Sequence, residues 1–205
     1  MAGHPVFAWF YSKMAPRQEQ RGSREHRDRL LASAAGRVVE VGAGTGLNLP
    51  LYPSAVIEVL AIEPDPHMFK RLAGALETAS VPVRLQRATA EQIPLEDGWA
   101  DTVVFCLVLC SVPEIPAALA EARRVLKPGG RVLFFEHVRS ADKRLAAWQD
   151  RLQAPWSWMS GGCHPNRDSV GAIEAAGFGL EALDRFDVPG SFLATPHAIG
   201  SAART

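Results

Sequence analysis

The amino-acid sequence predicts an α/β fold with a doubly wound, mostly parallel sheet, and three observations carry that prediction. Short β-branched runs alternate with segments of helical periodicity between Arg37 and His137. The first of these runs opens directly into a glycine cluster, Gly42-Ala43-Gly44-Thr45-Gly46. The composition is that of an ordinary globular chain, with 47% hydrophobic and 21% charged residues among 205.

Taken in order, Arg24 to Ala35 reads as a helix that Gly36 stops. Arg37-Val38-Val39-Glu40-Val41 is short, apolar and β-branched, as a parallel strand buried on both faces requires. Strands at Val56 to Ile62 and Val81 to Arg87 flank a helix from Pro66 to Thr78, which carries Met68, Phe69, Leu72 and Leu76 at helical spacing. Asp101 to Leu107 is the next strand. A helix from Pro116 to Leu126 then stops at the turn Lys127-Pro128-Gly129-Gly130, and Arg131 to His137 gives a fifth strand.

Beyond His137 the pattern changes. Ser140 to Ser160 is helix-like and rich in tryptophan, and Asp168 to Ala176 is a last helix ended by Gly177. Phe178 to Val188 and Thr195 to Ala203 pair as a terminal antiparallel hairpin. No repeat or linker divides the chain, so residues 1–205 read as one domain, with 1–35 a helical cap over the site.

Twenty-two basic residues against 22 acidic ones give no net charge, which removes the positive field a nucleic-acid partner needs. Three cysteines are an odd number without a secreted framework, so a reducing, cytoplasmic compartment is expected. The apolar run Val6 to Tyr11 is far short of the roughly 20 residues of a spanning helix, so neither a transmembrane segment nor a signal peptide is expected. Weak surface association with lipid and a monomeric or homodimeric state fit the same observations.

The glycine cluster lies where open parallel sheets bind ligands, outside the carboxyl end of a strand. A dinucleotide fingerprint would place its third glycine at position 47, which is Leu47, and a nicotinamide-linked dehydrogenase is thereby disfavoured. No phosphate-cradling G-x-x-x-x-G-K-[ST] run occurs either. What remains is a bare backbone that a nucleoside without phosphates can approach closely. Glu63 ends the second strand, and a carboxylate there can accept both ribose hydroxyls.

Glu40-x-Gly42-x-Gly44-x-Gly46, Glu63 and the turn Leu126-Lys127-Pro128-Gly129-Gly130 resemble the class I S-adenosylmethionine-dependent methyltransferases over nearly the whole chain. The resemblance implies a Rossmann-like sheet of seven strands in the order 3-2-1-4-5-7-6, and S-adenosyl-L-methionine as cofactor. It places Ala43 and Thr45 with the loop glycines at the methionine part, and Pro64, Asp65 and Met68 beside the adenosine. Leu107, closing the fourth strand, joins the same set. Many relatives have Asp-Ala-Glu before the Leu-Pro pair; here Thr89-Ala90-Glu91 stands there, leaving Thr89, Glu91 or a backbone carbonyl for the adenine amino group.

A narrower resemblance concerns the acceptor. Phe105 to Val112, Phe134 to Val138, Gly162-Cys163-His164 and Thr195-Pro196-His197 are similar to the methyltransferase-like thiol S-methyltransferases of animals and their bacterial relatives. This implies a small, largely apolar methyl acceptor, with sulfur favoured. A quinone, phenol or lipid amine is the alternative, and a non-catalytic S-adenosylmethionine-binding protein a third reading.

Methyl transfer from a sulfonium is an in-line displacement in which positioning supplies most of the rate. A thiol of pKa near ~8.5 is only slightly ionised at neutral pH, so a nearby base helps. His137, at the end of the fifth strand, is the first candidate and His164 the second. Cys110 and Ser111 lie just past the fourth strand, where Cys110 either contacts the acceptor or is a small buried hydrophobe. A zinc site from Cys106, Cys110, Cys163 and His164 matches no zinc spacing, and no metal is expected. The clusters Phe7 to Tyr11 and Trp156 to Met159 read as a lid over an apolar acceptor or as ordinary packing.

Overall fold

The computed structural model describes residues 22–188, 193 and 195–205. The run Phe7 to Tyr11 and most of the expected cap lie outside the described residues. Within them the strands form one seven-stranded sheet in the order β3-β2-β1-β4-β5-β7-β6, with β1 at Gly36–Val41, β2 at Val56–Ile62, β3 at Val83–Gln86, β4 at Ala100–Cys106, β5 at Leu126–His137, β6 at Phe178–Asp187 and β7 at Pro196–Arg204. The first five strands run parallel, and β7 enters antiparallel between β5 and β6. The expected strand order and terminal hairpin are both present.

Alternation along each strand builds two apolar layers, because successive side chains leave a strand on opposite faces. On one face Val39, Val41, Phe105 and Phe134 pack with Leu119 and Ala122 of α3 (Ile115–Val125). On the other, Val38, Leu133 and Phe135 meet Leu30 and Leu31 of α1 (Arg24–Leu31). The helix after β2, α2 (Pro66–Gly74), starts on an Asp65 N-cap with proline in its first turn; it ends at Gly74, short of the expected Thr78, and Leu76–Thr78 continues as a 3-10 turn. Two more helices follow β5: α4 (Lys143–Met159) and α5 (Ser169–Ala175).

The turn expected at Lys127 to Gly130 is a bulge inside β5. Ala100 pairs with Leu126 and Thr102 with Arg131, so these residues loop out of register, with Gly129 at φ +75°. Register also aligns the strand ends. Val41 stands opposite Ile62 on one side and Phe105 on the other, which brings Gly42, Glu63 and the residues after Cys106 to one edge. Among the described residues no helix is long and apolar enough to cross a membrane.

Candidate active site

The bend after β1 carries positive φ at Gly42 (+65°), Gly44 (+60°) and Gly46 (+84°), a conformation costly for any residue with a Cβ. The three differ in surroundings. A Cβ at Gly42 would lie 2.7 Å from Val108 Cγ2, and one at Gly46 2.9 Å from the Ala75 methyl. At Gly44 the nearest atom would be the Gly42 carbonyl oxygen at 3.9 Å, so this residue faces open space. Ala43 is buried between them and Thr45 half-buried.

Glu63 locks this bend to the end of β2. Its Oε2 accepts the Gly44 N–H and its Oε1 the Asp65 N–H, each at 2.9 Å. Burial pushes the carboxyl up to about 7, against the pull of the Asp65 and Gly44 N–H groups. Each oxygen keeps a lone pair for a further donor. Asp65 also caps α2, accepting from His67 N–H at 2.7 Å and Met68 N–H at 3.0 Å. Pro64 is half-buried and Met68 buried at the same edge.

Glu40 turns away from the bend into a buried polar cluster. It accepts from Asn48 Nδ2 and Tyr52 O–H, both at 2.9 Å, and Arg27 Nη1 donates to Asn48 Oδ1 and to Cys106 Sγ. Burial raises Glu40 to about 7 despite these partners. Its place is to hold the segment from Asn48 to Tyr52 under the loop. After β3, the Thr89 carbonyl accepts the Gln92 N–H at 3.3 Å, Ala90 is buried, and Glu91 Oε1 takes the Glu114 N–H at 3.4 Å.

The second half of the site begins where β4 ends. Leu107 has φ +61°, rare for a branched side chain, with its N–H on the Phe135 carbonyl at 2.7 Å. The chain then folds over Glu136, a fully buried carboxylate that accepts the N–H groups of Val108 and Leu109 at 2.8 Å and of Cys110 at 3.2 Å. Arg167 grips the same turn from outside, donating to the Leu109 and Val112 carbonyls at 3.0 and 2.6 Å.

These ties gather Cys110, His137 and Cys163. The two sulfurs lie 3.4 and 3.5 Å from His137 Nδ1, and Ser111 Oγ is 3.5 Å from Cys110 Sγ. Hydrogen bonding from Cys110 lowers Cys163 and leaves Cys110 raised. Burial works to lower His137, but Cys163 and Glu136 outweigh it and raise it. His197 packs on His137 with ring centroids 4.6 Å apart, and burial keeps it neutral, down to about 3. His164 is not in this group: its Nδ1 pairs with the Gly162 carbonyl at 2.6 Å, and its N–H donates to the Cys110 carbonyl at 2.7 Å. Cys106 is also elsewhere, beside Arg27.

Sequence reasoning missed Glu136, Arg167, Gln149 and Arg27 as organisers of the site. Gln149, fully buried, donates to the Val138, Pro165 and Leu193 carbonyls, fastening β5 to the Cys163 loop. An acid inside the apolar run Phe134-Phe135-Glu136 was the one available signal, since a buried carboxylate must find partners.

Known proteins resemble this chain in sequence and fold. A family model described as a methyltransferase domain matches residues 39–134. Human thiol S-methyltransferase TMT1B is 35% identical over 181 residues, 85% of this chain and 74% of that protein. The chain belongs to the class I S-adenosylmethionine-dependent methyltransferases. Phosphatidylethanolamine N-methyltransferase of Cereibacter sphaeroides is 36% identical over 119 residues, 57% of this chain and 58% of that protein. A methyltransferase structure from Thermotoga maritima shares the fold, with TM-score 0.70 at 19% identity over 98% of this chain and 100% of that one.

This methyltransferase uses S-adenosylmethionine, and its residues fit that cofactor. The space before Gly44 would be filled by any Cβ, and Glu63 offers free lone pairs beside it.

Proposed function

We propose that this methyltransferase methylates the sulfur of a small, largely apolar thiol. The observation that carries the reading is the meeting of Cys110, His137 and Cys163 at the carboxyl ends of β4 and β5, one residue pair (Gly42 and Val108) away from the bend. The name of the human relative, which this chain matches over most of its length, supports sulfur as the acceptor atom.

In this reading Glu63 holds the ribose hydroxyls, Gly42 to Gly46 line the methionine part, and Pro64, Asp65 and Met68 border the adenosine. Thr89, Ala90 and Glu91 stand at the adenine edge, and Leu107 closes the floor. Bound there, S-adenosylmethionine supplies a methyl group on a sulfonium sulfur. Cys110 and His137 face the acceptor, whose thiolate charge cancels against the donor's as bonds exchange, so a dry pocket favours transfer. His164 steadies the loop through Cys110. Trp156 to Met159 cap the acceptor, and the free cysteines Cys106, Cys110 and Cys163 suit the cytoplasm.

The phosphatidylethanolamine methyltransferase among the relatives favours a second reading, methylation of a lipid amine. Incubation with methyl-labelled donor and a fractionated cell extract separates the two. A labelled methyl sulfide is the expected product; a labelled lipid amine, or binding of donor with no labelled product, contradicts the thiol reading.

A further inference from the structure

We propose that Cys110, His137 and Cys163 are three ligands of a thiophilic divalent cation, zinc, whose fourth position takes the acceptor sulfur. This deepens the thiol reading and rests on it. It also departs from the sequence expectation of no metal, because the histidine that completes the set comes from the end of β5 and not from the Cys163-His164 pair.

Geometry is the first support. A tetrahedral zinc with sulfur at about 2.3 Å and nitrogen at about 2.0–2.1 Å has sulfur–nitrogen edges of about 3.5–3.6 Å. The observed edges are 3.4 Å from Cys110 and 3.5 Å from Cys163 to His137 Nδ1, and all three donor atoms lie within 4.8 Å of one another. Two sulfurs and an imidazole are a donor set for a soft or borderline cation, and two thiolates cancel a double positive charge.

Cys163 is the shared hydrogen-bond acceptor of the group, taking bonds from Cys110 and from His137. The indole N–H of Trp156 is buried beside Cys163 and acts on its sulfur as a hydrogen-bond donor. A metal-bound thiolate would accept it, as outer-shell donors to ligand sulfurs do.

Rigidity is the third support. Glu136 holds the Cys110 turn by three N–H groups, Arg167 clamps its carbonyls, and the His164 N–H ties the Cys163 loop to the Cys110 carbonyl at 2.7 Å. The ligands therefore need little movement to close on an ion. Three protein ligands leave one position open, the arrangement of catalytic rather than structural zinc.

The chemistry balances without a base. An acceptor thiol binding at the fourth position gives its proton to solvent and stays on the cation as thiolate. Its sulfur lone pair forms the new bond to the methyl carbon, and the pair of the broken carbon–sulfur bond remains on the donor sulfur. The product thioether is neutral, a weaker ligand than the thiolate, and leaves.

Cobalt titration of the metal-depleted full chain tests this. The expected result is one equivalent bound, with thiolate-to-cobalt absorption and the visible bands of a tetrahedral site, changed again when a small thiol is added. Cys110→Ser and Cys163→Ser should each weaken binding by about 10–100-fold or more, while Cys106→Ser, a buried cysteine outside the group, leaves the spectrum intact. Absence of cobalt binding to the reduced protein, or a spectrum unaffected by both cluster variants, would overturn the site. Equal thiol methylation with and without zinc would overturn its role while leaving the thiol reading standing. Tetrahedral cobalt that fails to respond to any thiol would overturn the open position.

Discussion

Glu63 accepts the Gly44 N–H at 2.9 Å, so the acid at the end of β2 and the bend after β1 are one hydrogen-bonded unit. Removing the carboxylate therefore removes the proposed ribose partner and loosens the bend together. Glu63→Ala should weaken binding of S-adenosylhomocysteine by about 1.5–3 kcal/mol, the range for hydrogen bonds to a charged group. Calorimetric titration measures this, and an unchanged affinity removes Glu63 from the donor site.

Gly44 and Gly46 share positive φ but not surroundings, and their alanine variants should fail differently. Gly44→Ala puts a methyl into open space, at a backbone cost of about 1–2 kcal/mol, and should abolish donor binding well before it unfolds the chain. Gly46→Ala drives its Cβ to 2.9 Å from the Ala75 methyl and should lower the melting temperature more than Gly44→Ala does. Thermal melts paired with donor titrations check the contrast; similar profiles for both variants contradict it.

Burial raises the Glu63 carboxyl from 4.5 to about 7, so between those values the folded chain holds a proton that the unfolded chain has released. The stability contributed by this group is full at low pH and is lost as pH rises through about 7. Donor hydroxyls prefer the ionised carboxylate, so affinity should move the other way and climb over the same window. Calorimetry from about pH 6 to about pH 8 should find tighter binding at the alkaline end, and Glu63→Gln should flatten the trend. A wild-type affinity independent of pH counts against ionisation of Glu63 on binding.

Glu136 accepts three N–H groups with two oxygens, which a neutral amide cannot reproduce. Glu136→Gln presents an NH2 to one of those donors and should cost about 1–3 kcal/mol of stability. Because the turn it holds carries Cys110, turnover should fall far more than donor affinity. Chemical denaturation and single-turnover kinetics separate the two effects, and a stable variant with wild-type turnover would contradict the positioning role.

The parts of this protein that obey a local rule were legible in its sequence. Buried parallel strands such as Val56–Ile62 announce themselves by apolar runs, and the Gly42 to Gly46 cluster announces a bend because only glycine tolerates that backbone. The hairpin order followed from the family resemblance, while its register required the structure. Glu40 shows what motif reading leaves out: its side chain accepts from Asn48 and Tyr52, contacts that the spacing to Gly42 does not encode. His164 and Cys163 are adjacent in sequence, yet only the Cys163 side chain joins those of Cys110 and His137, while the His164 ring pairs with the Gly162 carbonyl. Contacts of that kind join β4, β5 and the loop after α4, and no local periodicity encodes them.

Competition between matched acceptors decides which atom this methyltransferase methylates. Methyl-labelled S-adenosylmethionine is given to the protein with an equimolar mixture of an apolar thiol, the phenol of the same shape, and phosphatidylethanolamine vesicles. Label is expected in the thioether ahead of both other products; label confined to oxygen or nitrogen would rule out sulfur as the acceptor atom.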